Sequence, residues 1–330
     1  MKAVRHGRKI GGFTLIELMI AMLLGLLVVA AAISIFVANR RTYVATEDLG
    51  RVQESARVAF EIMARDLRAA GGNACDQSAP VADVVTPGGA WWSDWSTGVV
   101  GYSQSQTVPG LPTGTGVGQR VAGTEVVELK SAHFGVSVVS HDAAAAQFRV
   151  EHDAHGLQAG DLALVCDYSQ ASVFQVSGIT NGTAPLVAHA ASGTPGNCTT
   201  GLGLPVSCGG TGTIHIFDRN STIAKVEAVR WFVGNNEQGG RSLFRQTRRS
   251  QAAGVAVEEV VPGVTGMTLE YLVPGAVDYA AAAAVPVTQW SAVSSVRVRV
   301  GLEGQERVGT SGERIARSLI YVASLRNRNP

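Results

Sequence analysis

The feature that most limits this chain is a run of 21 residues, Leu18–Ala38, without a charge and rich in Leu, Ala, Val and Met. As a helix rising 1.5 Å per residue it is about 30 Å long, enough to cross the hydrocarbon core of a bilayer. Residues 1–12, MKAVRHGRKIGG, precede it with Lys2, Arg5, Arg8 and Lys9 and no acid. Basic flanks stay on the cytoplasmic side, so the chain beyond the run faces outward. A secretory signal peptide cut near Ala30-Ala31-Ala32 and an uncleaved signal anchor both fit this pattern. Glu17, at the start of the run, suggests a third reading. A carboxylate in lipid costs at least about 2–3 kcal/mol and usually has a function. The milder account keeps Glu17 at headgroup level, where it favours the positive end of its helix.

The helical pattern does not stop at the membrane. The first proline is Pro80, and the first Gly-Gly after the leader is Gly71-Gly72, a helix stop. Between them Val52, Ala56, Ala59, Met63 and Leu67 form one apolar stripe at helical spacing. Glu47–Arg51, Arg57–Glu61 and Glu61–Arg65 are opposite charges four apart on the other side. The spacing predicts one helix from Phe13 to about Ala70. Residues 13–38 are its transmembrane half, and 39–71 the spine of an external domain. Gly25 is a soft point within it.

Beyond the helix, 72–123 reads as a loop region rich in Gly, Pro, Ser and Thr, with Trp91, Trp92 and Trp95 clustered. Those indoles suit a satellite core under a loop; exposed together they would suit a partner. Residues 124–330 read as a β-rich domain. Its strands are Thr124–Leu129, Phe134–Ser140, Gln147–His152, Asp161–Cys166, Ser172–Ile179 and Thr213–Phe217, then Lys225–Val233, Ser242–Gln246, Met267–Val273, Val293–Leu302 and Ser318–Leu325. Residues 191–212 read as a flexible Gly-rich insertion, and the alanine run 280–284 as a loop or short helix. The fold class is α+β, a long helical spine packed on antiparallel sheet. Only 16% of the chain is charged, against about 25% in soluble domains. The net charge is +1, or −3 without the leader, which argues against a broad nucleic-acid footprint.

Catalytic and metal signatures are weak. His152, Asp153 and His155, with Asp142 and Asp161, read more simply as a polar loop than as the three or four convergent ligands of a zinc site. Gly114, Gly116 and Gly118 open no helix, so they make a poor phosphate cradle. Arg241, Arg245, Arg248 and Arg249 read as a solvated strand face, with an acidic partner or DNA as the rival reading. Cys75, Cys166, Cys198 and Cys208 fit two bridges in an oxidising compartment. Cys198–Cys208, ten apart, closes easily and leaves Cys75–Cys166; Cys166–Cys198 is the alternative. No metal, no cofactor and no enzymatic activity are expected.

The string Gly11-Gly12-Phe13-Thr14-Leu15-Ile16-Glu17-Leu18, a basic leader before it and an apolar span after it, resembles the signal of type IV prepilins. That resemblance implies cleavage by prepilin peptidase between Gly12 and Phe13, N-methylation of Phe13, and an assembly role for Glu17. The new amine lies four positions from Glu17, or near the Glu17 of a neighbouring chain, where the two charges would neutralise each other. Four further blocks, ARVAFEIMARDLRAAGGNAC, VRWFVGNNEQGGRSLFRQ, VVPGVTGMTLEYLV and VASLRNR, are similar to PilW-type minor pilins, as helix exit, two hairpin regions and last strand. The resemblance implies an inner-membrane protein with its C-terminal domain in the periplasm, later incorporated into a type IV pilus. It implies other minor pilins, the major pilin, the assembly platform and a tip adhesin as partners, with no direct contact to nucleic acid. A J-like pseudopilin of type II secretion is the first alternative, and a signal-anchored periplasmic enzyme the second.

Overall fold

A computed structural model describes residues 12–72, 79–86, 90–95, 97–192, 196–248, 254–307 and 312–325, except the side chain of Phe134. Helix α1 (Leu15–Ala69) is continuous over 55 residues. Short strands β1 (Val81–Asp83), β2 (Val85–Thr86) and β3 (Val99–Tyr102) come after it. Next are β4 (Val126–Asp142), β5 (Gln147–Val150), β6 (Leu162–Cys166), β7 (Ala171–Gln175), β8 (Gly178–Thr180), β9 (Leu186–Ala188) and β10 (Gly196–Asn197). The last are β11 (Thr222–Asn235), β12 (Arg241–Arg248), β13 (Val255–Pro262), β14 (Val264–Leu272), β15 (Ala280–Ala281), β16 (Ser295–Arg307) and β17 (Arg314–Ser324). The main sheet runs β1-β7-β6-β11-β4-β5-β9-β8, with β3 on β4, β12 on β11 and β13 on β12. A second sheet runs β15-β14-β16-β17, and β2 pairs β10 apart from both. Within the main sheet β1 and β7 run parallel, and the other pairs are antiparallel. In the second sheet β14 is antiparallel to both β15 and β16, as β2 is to β10. The class is α+β.

The chain divides into two compact units. The smaller comprises Met1–Arg51 and Gly304–Ile315. Within it, Asp48 is buried, and its Oδ1 accepts the Gln305 N–H at 3.1 Å. A Cβ on Gly304 would collide with the Asp48 carboxylate, so the close approach requires glycine there.

The larger unit comprises Val52–Glu303 and Ala316–Pro330. Its first core sets the helical stripe of Val52, Ala56, Ala59, Met63 and Leu67 against Val127, Leu129, Val229, Trp231, Val298 and Val300. Ala56 and Ala59 are fully buried, and their small side chains let helix and sheet approach closely. The helix stops as its glycines predict. Gly71 takes a left-handed φ of 70°, its N–H donates to the Lys130 carbonyl at 2.8 Å, and the Ala132 N–H donates to the Gly72 carbonyl at 3.0 Å. Asp66, in the last turns, accepts from Trp231 Nε1 at 3.1 Å and from Arg245 Nε at 2.9 Å. A second core groups Val136, Val138, Phe148, Phe174, Leu202 and Phe217.

Several expectations change. Thr124–Leu129 and Phe134–Ser140 belong to one strand, β4, whose register against β11 shifts at Ala224/Lys225 because β4 carries one extra residue. Such a bulge bends a strand without ending it, and here it lets β4 serve both cores. Thr213–Phe217 forms no strand, and β13 is an addition to the expected set. The loop region 72–123 supplies β1, β2 and β3. Within 191–212, expected to be flexible, residues 196–203 pack inward: Leu202 is 1% exposed, and the Asn197 side chain bonds the main chain of Gln175 in both directions. Ala280–Ala284 divides between β15 and one 3-10 turn.

Candidate processing and assembly site

Gly12 is exposed, and residues 1–11 of the leader lie outside the described residues. Phe13 is 91% exposed. Thr14 is the N-cap of α1. Its N–H and Oγ1 donate to Glu17 Oε2 at 3.0 and 2.9 Å, while the Glu17 N–H donates to Thr14 Oγ1 at 3.3 Å. This is a capping box, Thr-x-x-Glu, in which each side chain satisfies a main-chain N–H at the helix start. The spacing is present in the sequence, where the charge of Glu17 next to an apolar run draws attention away from it. The Thr14 bonds engage Oε2 only. Glu17 is therefore held at the mouth of the helix beside Phe13, with its charge at the end where the helix dipole is positive.

From Phe13 to Val37 the large apolar side chains stand exposed. α1 is long and apolar enough to cross a membrane, and none of its most apolar window is buried within the chain. Such a surface is unfavourable in water at about 25 cal/mol per Å² and requires lipid or other helices around it.

The remaining sequence candidates go to separate partners. Asp142 Oδ1 caps Ala144 and Ala145, His155 Nδ1 accepts the Leu157 N–H, and Asp161 Oδ2 pairs with Lys225 Nζ at 2.8 Å. Among the described residues no group of three or more metal-ligating side chains converges. The N–H groups of Gly114, Gly116 and Gly118 donate to Arg120, Gln119 and Asn235. Within the arginine cluster Arg241 is exposed, whereas Arg245 and Arg248 are half-buried. Arg245 bridges Asp66 and Glu227, both at 2.9 Å, and Arg248 stacks over Trp92 at 3.8 Å. Arg241 reaches the Thr265 carbonyl, and Arg249 lies outside the described residues. Trp91 lies under the buried Arg230, whose guanidinium is 4.1 Å from the ring and pairs with Glu128. Cys198 and Cys208 are bridged at 2.02 Å. Cys166 is buried and disulfide-bonded, and Cys75 lies outside the described residues.

Sequence reasoning missed a histidine pair in the second core. His141 Nε2 and His189 Nε2 are 3.1 Å apart, stacked among Phe148, Phe174 and Phe217. Burial lowers both, His141 to about 4 and His189 to about 3, the latter also through His141.

Residues 7–33 match the family model described as the prokaryotic N-terminal methylation motif. Comparison with curated proteins and with solved structures gives no match. The motif supports a type IV pilin- or pseudopilin-like protein, and with the apolar helix it supports a single-pass anchor in the inner membrane.

Proposed function

We propose that this chain is a minor pilin of PilW type, which helps to start assembly of a type IV pilus and sits in or near its tip. Prepilin peptidase cuts between Gly12 and Phe13, and Phe13 is then N-methylated. α1 first holds the protein in the inner membrane with its β domain in the periplasm, then stacks with the helices of other minor pilins and the major pilin above the assembly platform. A tip adhesin is a further partner, and motility, adhesion or DNA uptake follow from the fibre. The observation that carries this reading is the methylation motif leading directly into a helix whose apolar surface is uncovered over its first half. Once cut, the Phe13 ammonium and a Glu17 carboxylate pair between neighbouring helices; either charge alone among packed apolar helices is costly.

The test is intact mass and N-terminal peptide analysis of the protein from sheared surface fibres and from membranes. A chain beginning at methylated Phe13 in the sheared fraction supports the reading. One beginning at Met1, or near Ile33, removes it. The motif serves a secretion pseudopilin equally well, and a deletion strain separates the two: loss of pili indicates the first, loss of protein secretion the second.

A further inference from the structure

Strand β11 lies against β4 throughout Thr222–Phe232. On its other side it pairs with β6 from Thr222 to Lys225 and with β12 only from Val229 onward. Among the described residues, Val226, Glu227 and Ala228 therefore have no paired strand beside them on that edge. At about 3.3 Å per residue the gap is on the order of 10 Å long. A cavity of about 360 Å³ opens there, with Asp161 and Lys225 at the β6 end and Thr247 and Arg248 at the β12 end.

Both ends of this notch carry polar atoms without a partner. Asp161 is 1% exposed; its Oδ2 accepts from Gln158 N and Lys225 Nζ, while its Oδ1 is buried with nothing bonded to it. Arg248 Nη1 is likewise buried and unbonded. Its guanidinium rests on Trp92, and among the described residues it forms no ion pair with a carboxylate. Burial also lowers the Arg248 pKa to about 10, against the opposing pull of the Asp161 charge across the notch. One end lacks a donor and the other an acceptor, and a strand edge lies between.

An extended main chain offers N–H and C=O groups alternately and pairs with such an edge. A carboxylate on it supplies the planar acceptor that a stacked guanidinium recognises in fork geometry. Asp161 and Glu227 disfavour a doubly charged anion such as phosphate in the same space, and a free amino acid would span only a third of the gap. We propose that this notch binds a short extended segment of a partner protein, three to five residues long and bearing a carboxylate. The segment adds a strand beside Val226–Ala228 and places its carboxylate on Arg248. This site is independent of the pilin reading.

The full chain, purified in detergent, is titrated into three fluorescein-labelled peptides: acetyl-Val-Asp-Val-Asp-Val-amide and its lysine and asparagine counterparts. Binding is read by anisotropy, and its position by hydrogen exchange over residues 222–230. The expected result is saturable binding of the aspartate peptide, slower exchange at 226–228, and affinity at least about tenfold weaker in Arg248→Ala, equivalent to about 1.4 kcal/mol. Arg248→Gln keeps a planar amide on a similar stem and serves if the alanine variant does not fold. The proposal is overturned by absence of saturable binding, by equal binding of the lysine peptide, by protection elsewhere than 226–228, or by unchanged affinity in a folded Arg248 variant.

Discussion

Thr14 and Glu17 bond to each other before any neighbouring subunit arrives, so the Glu17 carboxylate has a local task as well as the assembly task proposed for it. Two substitutions separate them. Glu17→Ala removes both cap and charge and should leave cleavage intact while lowering incorporation into sheared fibres about tenfold. Glu17→Gln keeps an acceptor for Thr14 but no charge. If pairing with a Phe13 amine drives assembly, Gln fails as Ala does on quantitative blots of the sheared fraction. Wild-type incorporation of Glu17→Gln would leave helix capping as the role of this residue. The His141–His189 pair predicts a pH dependence. Both sit below the ordinary histidine value of 6.5, so the unfolded chain binds the extra protons. Stability should fall as pH drops from about 6.5 through about 4 and then about 3. Asp83, raised to about 6 by burial, and Glu125, also raised by burial, act in the opposite sense over part of that range, while His155, lowered by burial, acts with the pair. Melting temperature against pH should flatten in His189→Gln; an unchanged slope would show that the pair does not set the pH dependence.

At the scale of elements, α1 is latched to the main sheet through Asp66, which serves both Trp231 of β11 and Arg245 of β12. Asp66→Ala leaves a buried indole N–H and a partly buried guanidinium short of partners. It should cost about 2–4 kcal/mol in denaturant unfolding, whereas Arg57→Ala, at an exposed pair on the same helix, should leave the unfolding midpoint essentially unchanged. The helix itself is legible in the sequence, because its stripe and its stop are local signals: Val52 to Leu67 repeat at helical spacing, and Gly71 marks the end. The arginine partners are not. Arg245 finds Asp66 179 residues away in sequence, and no spacing rule reaches that far. β13 escapes detection because Glu258 and Glu259 break its alternation, and β4 reads as two strands because a bulge looks like an interruption. At the candidate site, Gly12, Phe13 and Glu17 stand out as a string, while the part played by Thr14 needs the hydrogen bonds.

At the scale of the whole molecule, β11 contributes to all four apolar clusters: Ile223 to one, Val226 to another, Val229, Trp231 and Val233 to the largest, and Phe232 to the last. Losing that strand removes a wall from each, so the larger unit should unfold in one calorimetric transition, with van't Hoff and calorimetric enthalpies equal. Two resolved transitions would contradict this. Cys75–Cys166 remains our proposal for the second bridge, and non-reduced peptic mapping should join those two; a Cys75 peptide linked to Cys198 or Cys208 would refute it. The helix exit has a mechanical meaning for a subunit under tension. Force carried along α1 reaches the sheet at Gly71 and Gly72, and two main-chain bonds pass it to β4 near Lys130 and Ala132, midway along the ladder with β11. Load applied at the middle of a long ladder is shared by rungs on both sides, so this joint should resist pulling better than one that begins at a strand end and unzips rung by rung.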